Sequence, residues 1–292
     1  MTAPLLRGAM PLPAASRSGR SPAWQGRLQL VFERRDGRTV LARRQQAGPV
    51  AVQRPFHPGD GACHVYLLHP PGGLARDDRI EASIEVRSGG AALVTTPAAT
   101  KVYRGPLESS VTQCLDVGPG AGLEWLPQET ILFGGSRFHA RTHVRLARDA
   151  RFGGWDIVTL GRPASDDDYE AGAVRLETCI DVGEEHRLVE RQVWDRAAGQ
   201  SVPVLSAHWG LGGNRTLASY YAYPADADTL ERARNLIGDC PATGATLLDD
   251  LLVVRTLAGD VERARRLLTR VWEGLRRTVS GLAPSPPRVW AT

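Results

Sequence analysis

The segment Ile80-Glu-Ala-Ser-Ile-Glu-Val-Arg-Ser-Gly-Gly-Ala-Ala-Leu-Val-Thr-Thr-Pro-Ala-Ala-Thr-Lys-Val-Tyr-Arg104 carries the pattern on which the fold turns. Its first part alternates: Ile80, Ala82, Ile84 and Val86 point to one side of an extended chain, and Glu81, Ser83 and Glu85 to the other. Gly89-Gly90 breaks the run, and an apolar stretch restarts at Ala91. The same strand–turn–strand unit recurs. Val86 and Leu93 flank a glycine turn, as do Val117 and Leu123, and then Val182 and Leu188; Leu146 and Phe152 flank Ala and Arg in a similar way. The interval drifts around roughly thirty residues, a period typical of stacked repeat units. The pattern predicts a mainly β protein built as a helical stack of β-sheets, although a plain β-sandwich gives similar text.

Lys101, inside this segment, is the only lysine of the chain. A lysine is a compact ammonium on a flexible stem, whereas arginine is a wide planar fork. A slot that keeps lysine is one reading, and chance survival of one lysine is the other.

Outward from this centre the β text continues in both directions. Gly26–Glu33 alternates, Asp36-Gly37 signals a hairpin, and Thr39–Arg43 is the return strand. Pro55, Pro58, Gly59 and Gly61 mark a loop, and Cys63–His69 is a compact apolar strand that runs into Pro70-Pro71-Gly72-Gly73. The C-terminal quarter differs. Thr229–Ile237 is read as a short amphipathic helix capped by Asp228, and Leu247–Leu257 as a last strand pair. Asp260 caps a long helix through about Val279, with Val261, Ala264, Leu268, Val271, Trp272, Leu275 and Val279 as its apolar stripe. Gly281 and the prolines at 284, 286 and 287 end it. Residues 1–22 are read as a disordered lead rather than a signal peptide. Residues 23–292 are read as a single domain, β-rich over 23–225 and mixed over 226–292.

Composition excludes several classes. The 292 residues are 42% apolar with a net charge of +4, which is neither a polybasic tail nor a basic surface interleaved with aromatics, so no nucleic-acid partner is expected. No run reaches the roughly 18 apolar residues of a membrane span. Cys63, Cys114, Cys179 and Cys240 are scattered without a CxxC pair, which points to reduced, mostly buried thiols and a cytoplasmic chain. Phosphate loops, dinucleotide turns, nucleophile elbows and HExxH are missing from the sequence. His139 and His143 share a strand face but stand about 13 Å apart at strand rise, too far for one metal site. Carboxylates gather at Asp77-Asp78, at Glu124 with Glu129, and at Asp166-Asp167-Asp168. Such pairs serve acid–base chemistry or hold a hard cation, and more often are solvated turn residues. A β-rich hydrolase or lyase using Asp166–Asp168 with Arg162 is one alternative that the residues leave open.

Several segments together resemble the UreD (UreH) family of urease accessory proteins. They are His69-Pro70-Pro71-Gly72-Gly73-Leu74; Thr95-Thr96 with Ala98-Ala99-Thr100-Lys101-Val102-Tyr103-Arg104; Leu123–Phe133; Leu160-Gly161-Arg162-Pro163-Ala164; and a close running from Val254-Arg255 through Trp272 and Leu275-Arg276 to Pro287-Arg288-Val289-Trp290. The resemblance implies a non-enzymatic assembly factor, without a tightly bound cofactor, that joins UreF and the GTPase UreG on the urease apoprotein. There it supports lysine carbamylation and nickel insertion, with a proposed internal passage for the metal. It implies C-terminal helices that contact UreF, with Trp290 and the helix bearing Trp272 as candidates. Asp78, Glu124, Glu129 and Asp167 are then candidate transient, oxygen-rich stations for Ni2+, since weak ligation suits a conduit. Arg162 is a candidate orienter of a carboxylate, and Lys101 and Tyr103 are structural or partner-positioning residues. The sequence departs from the family pattern at Arg76-Asp77, where two glycines are usual, at Pro97 for glutamine, and at Asp166-Asp167 for Gly-Glu.

Overall fold

A computed structural model describes residues 23–162, 165–169, 171–196 and 203–291. The lead over residues 1–22 and the Pro163-Ala164 pair lie outside the described residues. The chain opens with β1 (Gln25–Arg35) and β2 (Arg38–Ala47), joined by the Asp36-Gly37 hairpin, and a short β3 (Ala51–Val52). It then winds through successive coils. The first is β4 (Cys63–Leu68), β5 (Gly73–Leu74) and β6 (Arg79–Val86); the second is β7 (Ala91–Thr95), β8 (Thr100–Val102) and β9 (Ser109–Val117). The third is β10 (Gly122–Leu126), β11 (Thr130–Leu132) and β12 (Arg137–Leu146); the fourth is β13 (Arg151–Leu160) and β14 (Gly172–Val182).

Like strands stack in parallel. β6, β9, β12 and β14 form one face; β4, β7, β10 and the first half of β13 form a second; β5, β8, β11 and the end of β13 form a third. This is a three-faced β-helix. The repeat read from the sequence is its coil, and the register turns that repeat into ladders. Leu30, Ile84, Leu115, Val144 and Ile180 lie side by side across five strands, all buried. Leu74, Val102, Leu132 and Leu160 do the same on the third face. Each ladder places a coil's apolar side chain on the coil before it, so coils bury one another's edges.

One unit that looks like a coil in the sequence is different. Val182 and Leu188 flank an antiparallel hairpin from β14 into β15 (Glu185–Arg196), with a register shift at Ile180/Asp181. After α1 (Pro203–Ser206), β16 (Thr216–Tyr223) turns antiparallel to β13, so the winding stops there. Next come α2 (Ala227–Ile237), the strand pair β17 (Thr243–Leu248) and β18 (Leu251–Ala258), and α3 (Val261–Ser280).

The expected long helix is present. Asp260 accepts a hydrogen bond from Arg263 N at 2.8 Å, and Gly281 closes the helix in the left-handed conformation. The cap of α2 is Asp226 rather than Asp228: its carboxylate accepts from Thr229 N at 2.9 Å, and Asp228 sits inside the first turn. The thiols also differ from expectation. Cys63 is buried, but Cys114, Cys179 and Cys240 are only half-buried.

α3 lies on the outer side of the second face. Strands there are covered on both sides, which is why β7 and β10 read as continuous apolar runs rather than alternating ones. Ala92, Val94, Leu123 and Trp125 point into the coil, while Leu93 and Leu126 point out under α3. Glu124 also points out, and it meets the fully buried Arg276 of α3. Arg276 Nε donates to both Glu124 oxygens at 2.9 and 3.0 Å, and Nη2 donates to Glu124 Oε2 at 2.6 Å and to Asp60 Oδ2 at 2.7 Å. Arg276 Nη1 donates to the carbonyl of Ala283. Trp272 Nε1 donates to Glu124 Oε1 at 2.7 Å, and His64 pairs with Asp60 at 2.9 Å. Burial alone raises the Asp60 carboxyl, but the His64 and Arg276 contacts outweigh it and leave the group down at about 2. Those same two carboxylates hold Arg276 above its ordinary range despite its burial.

Removing one partner from such a network leaves uncompensated charge in the interior, which costs about 3–5 kcal/mol, whereas an exposed helical ion pair is worth about 0.5 kcal/mol at most. Arg276→Met should therefore destabilise the protein by about 3–5 kcal/mol in urea unfolding. Arg266→Met, which removes an exposed pair with Glu262, should change stability by less than about 0.5 kcal/mol.

Candidate functional site

The coils do not fill their own interior. A cavity of about 460 Å3 runs between the three faces. Its walls are mostly apolar, and its oxygen donors come from defined rows. In-register pairing sets Gln113, Thr142 and Thr178 side by side on the inner surface of β9, β12 and β14, with Thr142 donating to Gln113 Oε1 at 3.0 Å. Asp156 of β13 lines the cavity as well, and so does His69 at the end of the first coil's β4 segment. A second cavity of about 20 Å3 shares Asp156, Thr178 and Tyr221 with the first and extends to Glu190 and Gln192 of β15. That volume is enough for about one water.

The electrostatics of this interior are unusual. Burial pushes the Asp156 carboxyl from the usual 3.8 up to about 6; a hydrogen bond from the Ile157 backbone works against the shift, and the Glu190 carboxylate adds to it. Burial also holds His69 below its ordinary range, against the pull of Asp78. The cavity thus offers a carboxyl poised near neutrality and a neutral imidazole within apolar walls. Neither residue was singled out in the sequence as a site. For Asp156 a signal existed: a carboxylate interrupts the apolar run Trp155-Asp156-Ile157-Val158.

None of the four carboxylates expected as metal stations is among the residues lining the cavity. Glu124 is taken up by Arg276 and Trp272. Glu129 points toward α3, with Oε2 buried and 3.9 Å from Arg265 Nη1. Asp78 clips a turn: its two oxygens accept from Trp24 N at 2.8 Å and Ala75 N at 2.9 Å. Asp167 also binds backbone, accepting from Gly134 N at 3.0 Å and Tyr169 N at 3.2 Å. Asp166–Asp168 do not converge either. Asp168 pairs with Arg215 at 2.6 Å, and Asp166 is exposed.

Three sequence-predicted residues are brought together at the third face. Tyr103 meets Phe133 edge-on with ring centroids 5.1 Å apart, Arg162 lies 3.8 Å over the Phe133 ring, and Arg162 pairs with Asp167 at 3.5 Å. So Arg162 does orient a carboxylate, but that carboxylate clips a loop. Gly73 lies against Tyr103: a Cβ there would sit 2.5 Å from the Tyr103 ring and 2.7 Å from the Lys101 carbonyl. Two of the three departures from the family pattern, those at Arg76-Asp77 and Asp166-Asp167, include a residue with glycine-like backbone. Arg76 has φ of 59° and Asp166 has φ of 53°, so non-glycine residues occupy the left-handed region.

Lys101 is exposed, so no slot encloses its ammonium group. Its side chain leaves the third face toward solvent while Val102 points inward. Trp272 is fully buried, which removes it from partner contact. Trp290 folds back, donating to Thr95 Oγ1 at 3.0 Å and packing 5.2 Å from Trp155 and 5.5 Å from Trp272.

Surface side chains without buried contacts change stability by no more than about 0.5 kcal/mol, and stranding partly buried backbone donors costs about 1–3 kcal/mol. Lys101→Ala should leave thermal unfolding unchanged within that smaller range. Asp167→Ala should lower stability by about 1–3 kcal/mol, measured in the same assay.

The sequence profile of the family described as "UreD urease accessory protein" matches residues 25–291. The urease accessory protein UreD of Alkalilimnicola ehrlichii is 42% identical over 284 residues, 96% of each chain. That of Pseudomonas entomophila is 42% identical over 275 residues, covering 93% of this chain and 95% of the relative. That of Aliivibrio fischeri is 37% identical over 285 residues, covering 93% and 98%. Matches of this length span every coil and both C-terminal helices, and the chain belongs to the UreD family of urease accessory proteins.

Proposed function

We propose that this protein is a non-catalytic assembly factor that works in the cytoplasm with UreF and UreG on the urease apoprotein, and that Ni2+ reaches the urease active site through its interior cavity. The observation that carries this reading is the cavity itself, with Asp156 at its junction with the smaller cavity beside Glu190. An ion in transit needs ligands that hold it briefly. Scattered oxygen donors in apolar walls bind a borderline cation weakly, whereas a cluster of thiolates and imidazoles retains it. A carboxyl with a pKa near 6 exchanges a proton for a metal close to neutral pH. Asp156 thus takes the role first considered for Asp78, Glu124, Glu129 and Asp167, whose oxygens serve the fold or face α3; Glu190 beside it is held by Arg255 and Gln192.

UreF docks on the outer side of α3 in this reading. Arg263, Arg266, Arg270 and Arg277 are exposed there, which suits a partner surface rich in carboxylates. Lys101, open on the third face, is a second partner-facing cation.

The Asp156 assignment has a sign that can be tested. Its folded pKa lies above its unfolded one, so the unfolded chain releases its proton first. Native stability therefore falls as pH rises from about 4 to about 6, and the full penalty is present at pH 7. Asp156→Asn should stabilise the isolated protein by up to about 3 kcal/mol at pH 7, with the gain fading toward pH 4. In a host lacking this gene, the same variant should restore much less nickel-dependent urease activity than the native chain. Full activation by Asp156→Asn would remove Asp156 from the route, and full activation without the gene would overturn the function.

A further inference from the structure

The outer surface of the first face holds a second group of donors, separated from the cavity by the thickness of the sheet. On β12 and β14 the residues pointing inward are Thr142, Val144, Thr178 and Ile180, which line the cavity. His143, Cys179 and Asp181 alternate with them and point outward. Parallel register sets His143 beside Cys179, and the bulge at Ile180/Asp181 brings His186 of β15 opposite Asp181. Asp181 is the hub. Its oxygens lie 2.6 Å from His143 Nε2, 2.6 Å from His186 Nδ1 and 3.3 Å from Cys179 Sγ. Cys179 Sγ is 3.9 Å from His186 Nδ1, and one donor atom each from His143, Cys179 and Asp181 falls within 4.8 Å of the others.

The competing explanation is an ordinary surface ion-pair network, and the neighbours help to decide. Carboxylates elsewhere on this face each have an arginine: Asp116 has Arg145, Glu177 has Arg141 and Arg191 as well as His139, and Glu185 has Arg148 and Arg187. Among the described residues, the ion-pair partners of Asp181 are His143 and His186, with the Cys179 thiol beside them. Two imidazoles, a thiol and a carboxylate from three adjacent strands form a mixed N/S/O set. That set suits a borderline divalent ion, Zn2+ first. Tetrahedral donors at about 2.0–2.3 Å from Zn2+ lie roughly 3.3–3.8 Å from one another. The sulfur–carboxylate distance of 3.3 Å already falls within that spacing, and the sulfur–imidazole distance of 3.9 Å stands just above it. The two imidazole–carboxylate hydrogen bonds would each open by under about 1 Å, and the exposed His186 ring has room to move.

We propose that His143, Cys179, Asp181 and His186 form a four-donor Zn2+ site that ties β15 to β12 and β14. The site stands apart from the cavity and does not depend on the nickel route. The test uses the full chain stripped with a chelator and titrated with Co2+ alone. One equivalent should produce the near-ultraviolet thiolate-to-cobalt absorption band and tetrahedral visible bands, and one equivalent of Zn2+ should abolish them. Cys179→Ser should remove the thiolate band, and His143→Gln or His186→Gln should weaken Co2+ binding at least tenfold. All three variants should keep the native far-ultraviolet circular dichroism, because the side chains point away from the core. Cys114→Ser, altered beside His143 on the neighbouring strand, should leave the band intact. Absence of a thiolate band, its survival in Cys179→Ser, or its loss in Cys114→Ser would overturn the assignment. Binding of Ni2+ without competition from Zn2+ would overturn the choice of ion.

Discussion

The buried contact between Arg276 and the two carboxylates of Glu124 and Asp60 decides how the parts of this protein are joined. Asp60 lies in the loop that leads into the first turn of the β-helix, Glu124 in the third turn, and Arg276 in a helix that follows more than a hundred residues later. Apolar burial would hold α3 against the second face in several alignments, because Leu93, Leu126 and their neighbours make a broad greasy surface. A guanidinium with its donors matched to two carboxylates, plus an indole N–H on one of them, permits one alignment. Networks of this kind add little net stability compared with well-packed apolar side chains; what they supply is a penalty for every other arrangement. The Trp155–Trp272–Trp290 cluster then closes over the same region and fixes the C-terminal tail.

With α3 locked outside, the interior is free to remain partly empty. A parallel β-helix stabilises itself through ladders between coils, so its lumen need not be filled to native density along the whole length. Here the apolar ladders occupy one stretch of the lumen, and the Gln113–Thr142–Thr178 row with Asp156 occupies another. A carboxyl held near pH 6 in such a place is a stability defect that the fold tolerates. Function offers a reason for that tolerance.

The coil period was legible in the sequence because each coil repeats the same turn chemistry. Gly89-Gly90 and Gly118 with Gly120 sit where one face gives way to the next, and Ile84 and Leu115 keep the same inward position. The caps at Asp260 and Gly281 were legible for the same local reason. What escaped reading is what register decides. A single chain shows His139 and His143 too far apart to share an ion, and that is true. It does not show that His143 lies beside Cys179, thirty-six positions away, because that neighbour follows from parallel pairing. Glu124 read as a candidate metal ligand because its partner, Arg276, is 152 residues distant. Asp156 was overlooked because an acid in an apolar run has no local partner to mark it. The resemblance to a family carried the fold and the accessory role, but of the carboxylates taken from motif positions Asp78 and Asp167 bind backbone N–H groups and Glu124 pairs with a buried arginine.

The central claim is that metal passes through the interior while α3 and the outer surfaces hold the partners. Thr178 faces the cavity from β14, so Thr178→Phe obstructs the lumen without altering the exposed arginines of α3. The decisive measurement is the nickel content of urease matured in cells that carry this variant, together with recovery of the accessory complex by co-purification. The account predicts an intact complex and urease depleted of nickel. An intact complex that delivers the normal nickel content would contradict it.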